Sequence, residues 1–516
     1  MEKRDYIIGI DIGSSNVVMA VGERNVDGEI SILGVEVQAV NDCVEDGDIT
    51  NYLELGKTIK TAKAELEKDL GCSLKSAYVG FSGKSVYCVR YEDYVEINER
   101  TGCVTESEVR ELHDRIQMAV PGGGDDIVER ILLRYTIDDR QEVKNPIGAF
   151  GRKLSATYLF VMAGKHQIDR VNRAMHFADI KVCGLCVNPT LMPQVLLNDV
   201  EREEGVAIVD IGSDLTDISI VRGGKLWYFA SLPIGASSIN SDLYEFLKIP
   251  RVEIEMLKRK YGSADAETVD SDKSVPVKIA GRAKKQILLR NIAEITEERL
   301  KDIARFVLRE IKAAMFLTKI PCGIVLTGGS AYLQNIDKLF ARELQMDVRC
   351  GEILNGIDYE SQHKVTSFLQ ASVIGLLLYG AKHQACEAVP LGGVTQPEKP
   401  QPPVIPVVEE KPELATIFTQ EDRIQPKEEE VKTPEPVEVQ EVEELKPVET
   451  TTPIEDIQND TQEIISEDNS EDDHEDIDKP TTENEKSDDV KEPKRKGWMS
   501  KLRVWLDEVF EGDDEL

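Results

Sequence analysis

The alternation of apolar and polar positions divides the 516-residue chain into three stretches. Up to about residue 385, β-branched runs alternate with amphipathic segments; from 391 to 490 the pattern lapses; after 494 it returns as one apolar helix face. The first run, Tyr6-Ile7-Ile8-Gly9-Ile10, leads into Asp11-Ile12-Gly13-Ser14-Ser15-Asn16 and then a second strand-like run, Val17 to Val21. About 200 residues later the same order recurs: Val206 to Val209, the turn Asp210-Ile211-Gly212-Ser213-Asp214, then Ile218 to Val221. A chain that writes strand, Asp-Ile-Gly-Ser turn, strand twice is expected to hold a duplicated α/β fold.

Between the two copies, Leu55, Ile59, Ala62, Leu66 and Leu70 fall at spacings of three and four, which predicts a helix over 53–70, with a strand over Ser76 to Ser82 after it. The character changes between about 84 and 165. A strand-like Ser85 to Val89 precedes a helix over Thr105 to Val120, opened by the capping-box pattern Thr105-Glu106-Ser107-Glu108 and stopped by Pro121-Gly122-Gly123-Gly124. Two further runs, Arg130 to Ile137 and Leu154 to Met162, flank the turn Asn145-Pro146-Ile147-Gly148. This reads as a small α+β insertion, after which a helix over 166–178 returns the chain to its parent domain. The second half continues with a mostly helical block over 239–318, a strand–glycine turn at Ile324 to Ser330, and a packed helix over Thr366 to Tyr379. The expected division is 1–83 with 166–194, the insertion 84–165, then 195–238 with 319–385, and the helical block 239–318.

Charge sharpens the last two stretches. Residues 391–490 carry about −23 of the chain's net charge of −34 and few aromatics, so they are expected to be a disordered, self-repelling linker. Its apolar interruption, Leu414 to Phe418, reads as ordinary linker content, with a docking peptide as the alternative. So acidic a chain excludes free nucleic acid as a partner, since phosphate backbones want a basic surface. From Lys494-Arg495-Lys496 the composition reverses. Trp498, Met499, Leu502, Trp505, Leu506, Val509 and Phe510 fall on one helical face, flanked by basic residues. An isolated helix with that face exposed is unstable in water. Bulky aromatics with basic flanks suit an anionic lipid interface, so 494–511 is expected to be a membrane-targeting amphipathic helix. With no apolar run near the ~20 residues that span a bilayer, and no signal-like start, the chain is expected at the cytoplasmic face of the inner membrane as a peripheral protein. Nine cysteines are scattered through the first 386 residues; Cys183-Gly184-Leu185-Cys186 has no second pair and reads as buried thiols rather than a metal site.

Glycine and serine at a hairpin tip let backbone N–H groups approach an anion, and the leading Asp stands where it can hold a metal ion. Two such tips facing each other would clasp one polyphosphate. Thr327-Gly328-Gly329-Ser330 would be a third turn, flat enough for a base or sugar. In this order the three turns resemble those of the actin, DnaK-chaperone and sugar-kinase ATPase superfamily. The insertion, with Asn145-Pro146-Ile147-Gly148-Ala149-Phe150-Gly151, and the amphipathic tail resemble the FtsA family of bacterial cell-division actin homologues.

The resemblance implies a phosphate site of Asp11, Gly13, Ser14, Ser15, Asp210, Gly212, Ser213, Asp214 and Gly235. It implies an adenosine site of Glu297, Arg299, Gly328, Gly329 and Ser330, with Mg²⁺ held by Asp11 and Asp210 mostly through water. It further implies ATP as cofactor and weak or absent hydrolysis, with Gln194 as the one candidate to position a water. Expected partners are the C-terminal peptide of FtsZ through about 240–315, further copies of the chain in filaments, later division proteins through 84–165, and anionic lipids through 494–511. The family's second phosphate turn has glycines where Ser213 and Asp214 stand here, and an acid beside phosphate is repulsive unless it turns away or joins the metal shell. The competing readings are another actin-like scaffold of pilus or shell type, and a small-molecule kinase of the same superfamily, for which the sequence offers neither base nor sugar pocket.

Overall fold

The computed structural model describes residues 6–390, apart from 26–27, 122–123, 279–283, 359, 366–369, 384–385 and 387. The acidic linker of 391–490 and the amphipathic helix of 494–511 lie outside the described residues. The first three strands are β1 (Tyr6–Ile12), β2 (Asn16–Arg24) and β3 (Ile30–Ala39). Ile7, Ile8, Ile10 and Ile12 are all buried, the pattern of a strand covered on both faces. Helix α1 (Tyr52–Leu70) starts where Asn51 accepts the N–H groups of Leu53 and Glu54, and it stops at Gly71 with φ 68°. Glycine takes that left-handed cap without steric cost. Strand β4 (Ser76–Phe81) follows.

The insertion comprises β5 (Val86–Glu96), α2 (Glu106–Gln117), β6 (Asp125–Ile137), β7 (Gln141–Val143) and β8 (Lys153–Gly164). Both hydrogen bonds of the Thr105–Glu108 capping box are present. The strands make an antiparallel sheet in the order β7-β6-β8-β5. Leu112 and Ile116 of α2 close a separate core with Val95, Leu154 and Ala156. Helix α3 (Lys165–Phe177) and β9 (Lys181–Val187) return the chain, completing a sheet ordered β9-β4-β1-β2-β3.

The second half repeats this plan. Strands β10 (Val206–Ile211), β11 (Thr216–Arg222) and β12 (Lys225–Leu232) are followed by α4 (Ala236–Leu247), α5 (Arg251–Tyr261) and α6 (Leu289–Ala313). Then come β13 (Ile324–Thr327), α7 (Ile336–Leu344) and β14 (Val348–Cys350). The sheet is ordered β14-β13-β10-β11-β12, with the same parallel and antiparallel neighbours as the first. The duplication read from the turns is therefore a duplication of whole sheets. The block of 239–318 is not wholly helical, since Ser274–Val277 and Lys285–Leu288 form a hairpin.

One expected boundary is corrected. The second half was expected to keep residues 319–385, but the chain crosses back to the first half near Ile357. Ile357 bridges to Ile30, Ser31 donates its hydroxyl to Asp358, and Lys364 Nζ donates to the Ile32 carbonyl at 2.7 Å. Helix α8 (Ala371–Ala381) then lies on β1, and β15 (Ala388–Pro390) pairs with Cys72–Leu74. Helix α8 is apolar nearly all round, so it needs a bed it can approach closely on several sides. Glycine supplies that bed: a Cβ on Gly9 would stand 3.0 Å from Leu376, and one on Gly380 2.6 Å from Ile7.

Candidate functional site

The two Asp-Ile-Gly turns are built alike and sit at the ends of corresponding strands. Gly13 N–H donates to the Asn16 carbonyl at 3.0 Å, and Gly212 N–H to the Leu215 carbonyl at 2.9 Å. In the first turn, Ser14 Oγ accepts the Gly47 N–H at 3.2 Å and the Ser15 carbonyl accepts Val40 N–H at 2.9 Å. In the second, the carbonyls of Gly212 and Ser213 accept the Ala236 and Ser237 N–H groups at the start of α4, at 3.0 and 2.8 Å. Gly235 makes that junction possible, because a Cβ there would stand 2.4 Å from the Ser213 carbonyl oxygen. The two halves meet at these tips, where a Cβ on Gly47 would stand 2.6 Å from Leu215 Cδ1. Asp214 does not stand bare toward a phosphate, since it accepts the Ser213 hydroxyl at 3.1 Å.

Acidic groups converge behind the tips. In register, Asp11 lies opposite Val18, whereas Asp210 lies opposite Asp217. Asn188, just past β9, donates its amide to Asp11 Oδ1 at 2.8 Å. Burial pushes the Asp11 carboxyl up to about 6, with the Asn188 hydrogen bond opposing and the Asp217 charge reinforcing. Burial, then the charges of Asp217 and Asp11, push Asp210 up to about 8. Burial also raises Asp217, against which the Ser231 and Ser82 hydroxyls pull. Three carboxyls from both halves thus feel one another in a desolvated place, and the group they lack is a cation. The fit extends to orphaned atoms: Asn188 Oδ1 and Ser330 Oγ are buried without a hydrogen-bond partner. Among the described residues no three His, Cys, Asp or Glu side chains stand close enough to ligate a metal directly. A divalent ion here would reach Asp11, Asp210 and Asp217 through its water shell, the habit of Mg²⁺.

The third turn belongs to the same site. Gly328 has φ 84°, and a Cβ on it would stand 2.2 Å from Asp210 Oδ1. Gly329 and Ser330 open a short 3-10 turn, Gly329–Tyr332. The end of α5 packs against it, with Ala264 N–H donating to the Gln334 carbonyl at 2.8 Å. Two residues of that helix were not among the sequence-derived candidates. Lys258 is buried, 2.8 Å from Glu255, and donates to the Ala236 carbonyl at 3.4 Å, one residue from Gly235. Asn240 donates its amide to the same Glu255 oxygen at 2.7 Å. Their sequence signal is thin, since a Glu-x-x-Lys pair also looks like any solvated helix face.

Three sequence-derived candidates fall elsewhere. Arg299 is buried in a bidentate pair with Asp242 at 2.7 and 3.0 Å, tying α6 to α4. Glu297 is taken by the Ala266 N–H at 2.9 Å, Lys301 at 2.8 Å and Arg342 at 3.3 Å. Both side chains are engaged in ion pairs that brace α6 against its neighbours. Gln194 accepts from Lys382 at 2.9 Å, just past α8, whose Gly380 lies against Ile7. That is the end of β1 remote from Asp11, so Gln194 is not placed to hold a water at the phosphates. The missed Asn188 stands at Asp11, where only the fold brings it. Asp217 did carry a signal: an ionisable residue inside the otherwise uncharged run Leu215 to Val221.

Comparison with known proteins follows this geometry. The family model described as cell division protein FtsA matches residues 207–375, and that described as the SHS2 domain inserted in FtsA matches 83–162. The chain is 26% identical over 388 residues to cell division protein FtsA of Pseudomonas aeruginosa, covering 73% of this chain and 90% of that one. It is 27% identical over 387 residues to cell division protein FtsA of Escherichia coli strain K12, with the same coverage. Among solved structures, the PilM–PilN type IV pilus biogenesis complex aligns with TM-score 0.52 and 14% identity, covering 73% of this chain and 98% of that one; this likeness concerns the fold alone.

Proposed function

The chain belongs to the FtsA family of cell-division proteins, and from that premise we propose that it is an ATP-binding adaptor that anchors FtsZ to the inner face of the cytoplasmic membrane. The observation that carries the nucleotide part is the pair of matched glycine–serine tips with Asp11, Asp210 and Asp217 converging behind them. Bound Mg²⁺ would neutralise the phosphate charge next to those carboxylates. The chain's own residues do the rest. Backbone N–H groups at Ser14, Ser15 and Ser213 would face the phosphates, the Gly13 and Gly212 N–H groups being used within their turns; Asn188 orients Asp11; Gly328 to Ser330 with Glu255 and Lys258 hold the nucleoside. Asp214, turned onto Ser213, leaves the second tip usable but less open than a glycine turn. Ser213 and Asp214, standing where the family's second turn has glycines, favour a nucleotide held as a switch over one rapidly turned over. Isothermal titration with Mg–ATP tests this: wild type binds, and Asp11→Asn and Asp210→Asn lose the binding. Equal affinity in all three would overturn it.

The remaining parts of the reading rest on surface and sequence. FtsZ's C-terminal peptide would dock on the helical block 240–315, where Val252 and Met256 are 75% and 54% exposed beside the cations of Lys248 and Arg251 on Tyr244. Self-association and recruitment of later division proteins fall to the insertion 84–165, whose Phe150 is 78% exposed at the turn. Membrane attachment falls to 494–511 through its Trp, Leu and Phe face; no helix among the described residues is long and apolar enough to cross a membrane.

A further inference from the structure

All nine cysteines are free, and two of them meet. Cys183 is the extra residue of a bulge in β9: Val182 pairs with Ala77 and Gly184 with Tyr78, which leaves Cys183 without an opposite partner. A bulge re-aims the residue it adds. The Cys183 side chain is exposed. Cys386 comes from the segment after α8 and is buried. Its N–H donates to the Tyr6 carbonyl at 2.8 Å, and its Sγ accepts the Ile8 N–H at 3.3 Å. Those bonds fix the buried sulfur at the start of β1, where Cys183 and Ser76 are its side-chain neighbours. The Cys-x-x-Cys run was expected to hold buried thiols, which is corrected for Cys183, exposed by the bulge, and holds for Cys186. Cys186 is buried in register with Gly80, away from solvent, and burial pushes its thiol up to about 12.

We propose that Cys183 and Cys386 are a reversible disulfide site, in which Cys183 meets the oxidant and Cys386 resolves it. The oxidant is a hydroperoxide. The Cys183 thiolate attacks the peroxide; the O–O bond breaks, the S–O bond forms, the sulfur is oxidised to sulfenic acid and the peroxide is reduced to hydroxide. The Cys386 sulfur then attacks the Cys183 sulfur, the S–O bond breaks, and the Cys386 proton leaves with the hydroxyl as water. Exposure assigns the first role to Cys183, since only a thiol open to solvent meets a dissolved oxidant; burial assigns the second to Cys386. The bond would staple the segment between α8 and β15 to the edge of the first sheet. Residues 391–516 follow that segment in the sequence.

The test uses the full-length chain, reduced, desalted and exposed to equimolar hydrogen peroxide, then digested without reduction for peptide mapping. The expected result is a Cys183–Cys386 cross-link that dithiothreitol reverses, with the other seven cysteines still alkylated. In Cys386→Ser, and in Cys386→Ala should the first fold poorly, Cys183 accumulates a dimedone adduct at least tenfold above wild type. In Cys183→Ser no cross-link to Cys386 forms. A Cys183–Cys186 bond, a dimer linked through Cys183, or equal dimedone labelling in wild type and Cys386 variants would overturn the assignment.

Discussion

Asp11 and Asp210 hold equivalent places in the two sheets, yet different residues face them. Val18 stands opposite Asp11 and Asp217 opposite Asp210, so the second carboxyl is crowded by like charge and the first is steadied by Asn188. Asn188→Ala removes a hydrogen bond to a charged group, worth about 1.5–3 kcal/mol, and should weaken Mg–ATP binding about tenfold or more without unfolding the protein. Titration calorimetry beside a thermal melt checks both halves of that statement. A second residue-scale expectation concerns Glu255, whose carboxyl is drawn down to about 2 against burial by Lys258, Arg259 and Asn240. A lowered carboxyl pKa contributes stability that is complete above the unfolded value near 4.5 and fades as pH falls toward 2. Glu255→Gln should therefore cost about 1 kcal/mol at pH 7, discounted because Glu255 is partly exposed, and its gap from wild type should narrow below pH 4.5 in urea melts. The sequence displayed Asp11, Asp210 and the glycines because their spacing repeats. It hid Asn188 and Lys258, whose roles depend on contacts made across the fold rather than on any local pattern.

At the scale of elements, α8 shows how a helix can be legible while its destination is not. Ala371, Gly375 and Leu378 announce a buried helix, but an all-round apolar face does not say which sheet buries it. The glycines decide. A Cβ on Gly375 would stand 2.7 Å from Leu191 Cβ and 3.0 Å from its carbonyl oxygen, whereas one on Gly71 would meet nothing within 4 Å. Gly375→Val should thus destabilise by about 3 kcal/mol or more through overpacking. Gly71→Ala should cost only about 1 kcal/mol, from its left-handed φ of 68°. Equilibrium urea unfolding of the two variants gives that order or contradicts it. The α2 insertion helix was readable to its first turn because the Thr105–Glu108 capping box is a local device. The brace role of Arg299 and Glu297 was not, because Asp242 and Arg342 lie on other helices.

At the scale of the whole molecule, two five-stranded sheets share one topology, and the insertion touches both halves. Lys225 Nζ donates to the Leu133 carbonyl at 2.7 Å, and Cys88 and Phe229 exchange contacts at 3.3 and 3.4 Å. The insertion therefore holds the second half as well as the first, so under the proposed function a nucleotide bound between the halves would act on residues the insertion also contacts. Under the proposed function, deleting 494–516 should abolish sedimentation with anionic vesicles while leaving Mg–ATP binding intact. The most direct measurement of the central claim is co-sedimentation of purified FtsZ with vesicles of anionic lipid, with and without the full-length chain and Mg–ATP. The account predicts that FtsZ pellets with the vesicles only when the chain is present, more so with Mg–ATP, and less with Asp210→Asn. FtsZ that stays in the supernatant under every condition, while the chain itself pellets, would contradict it.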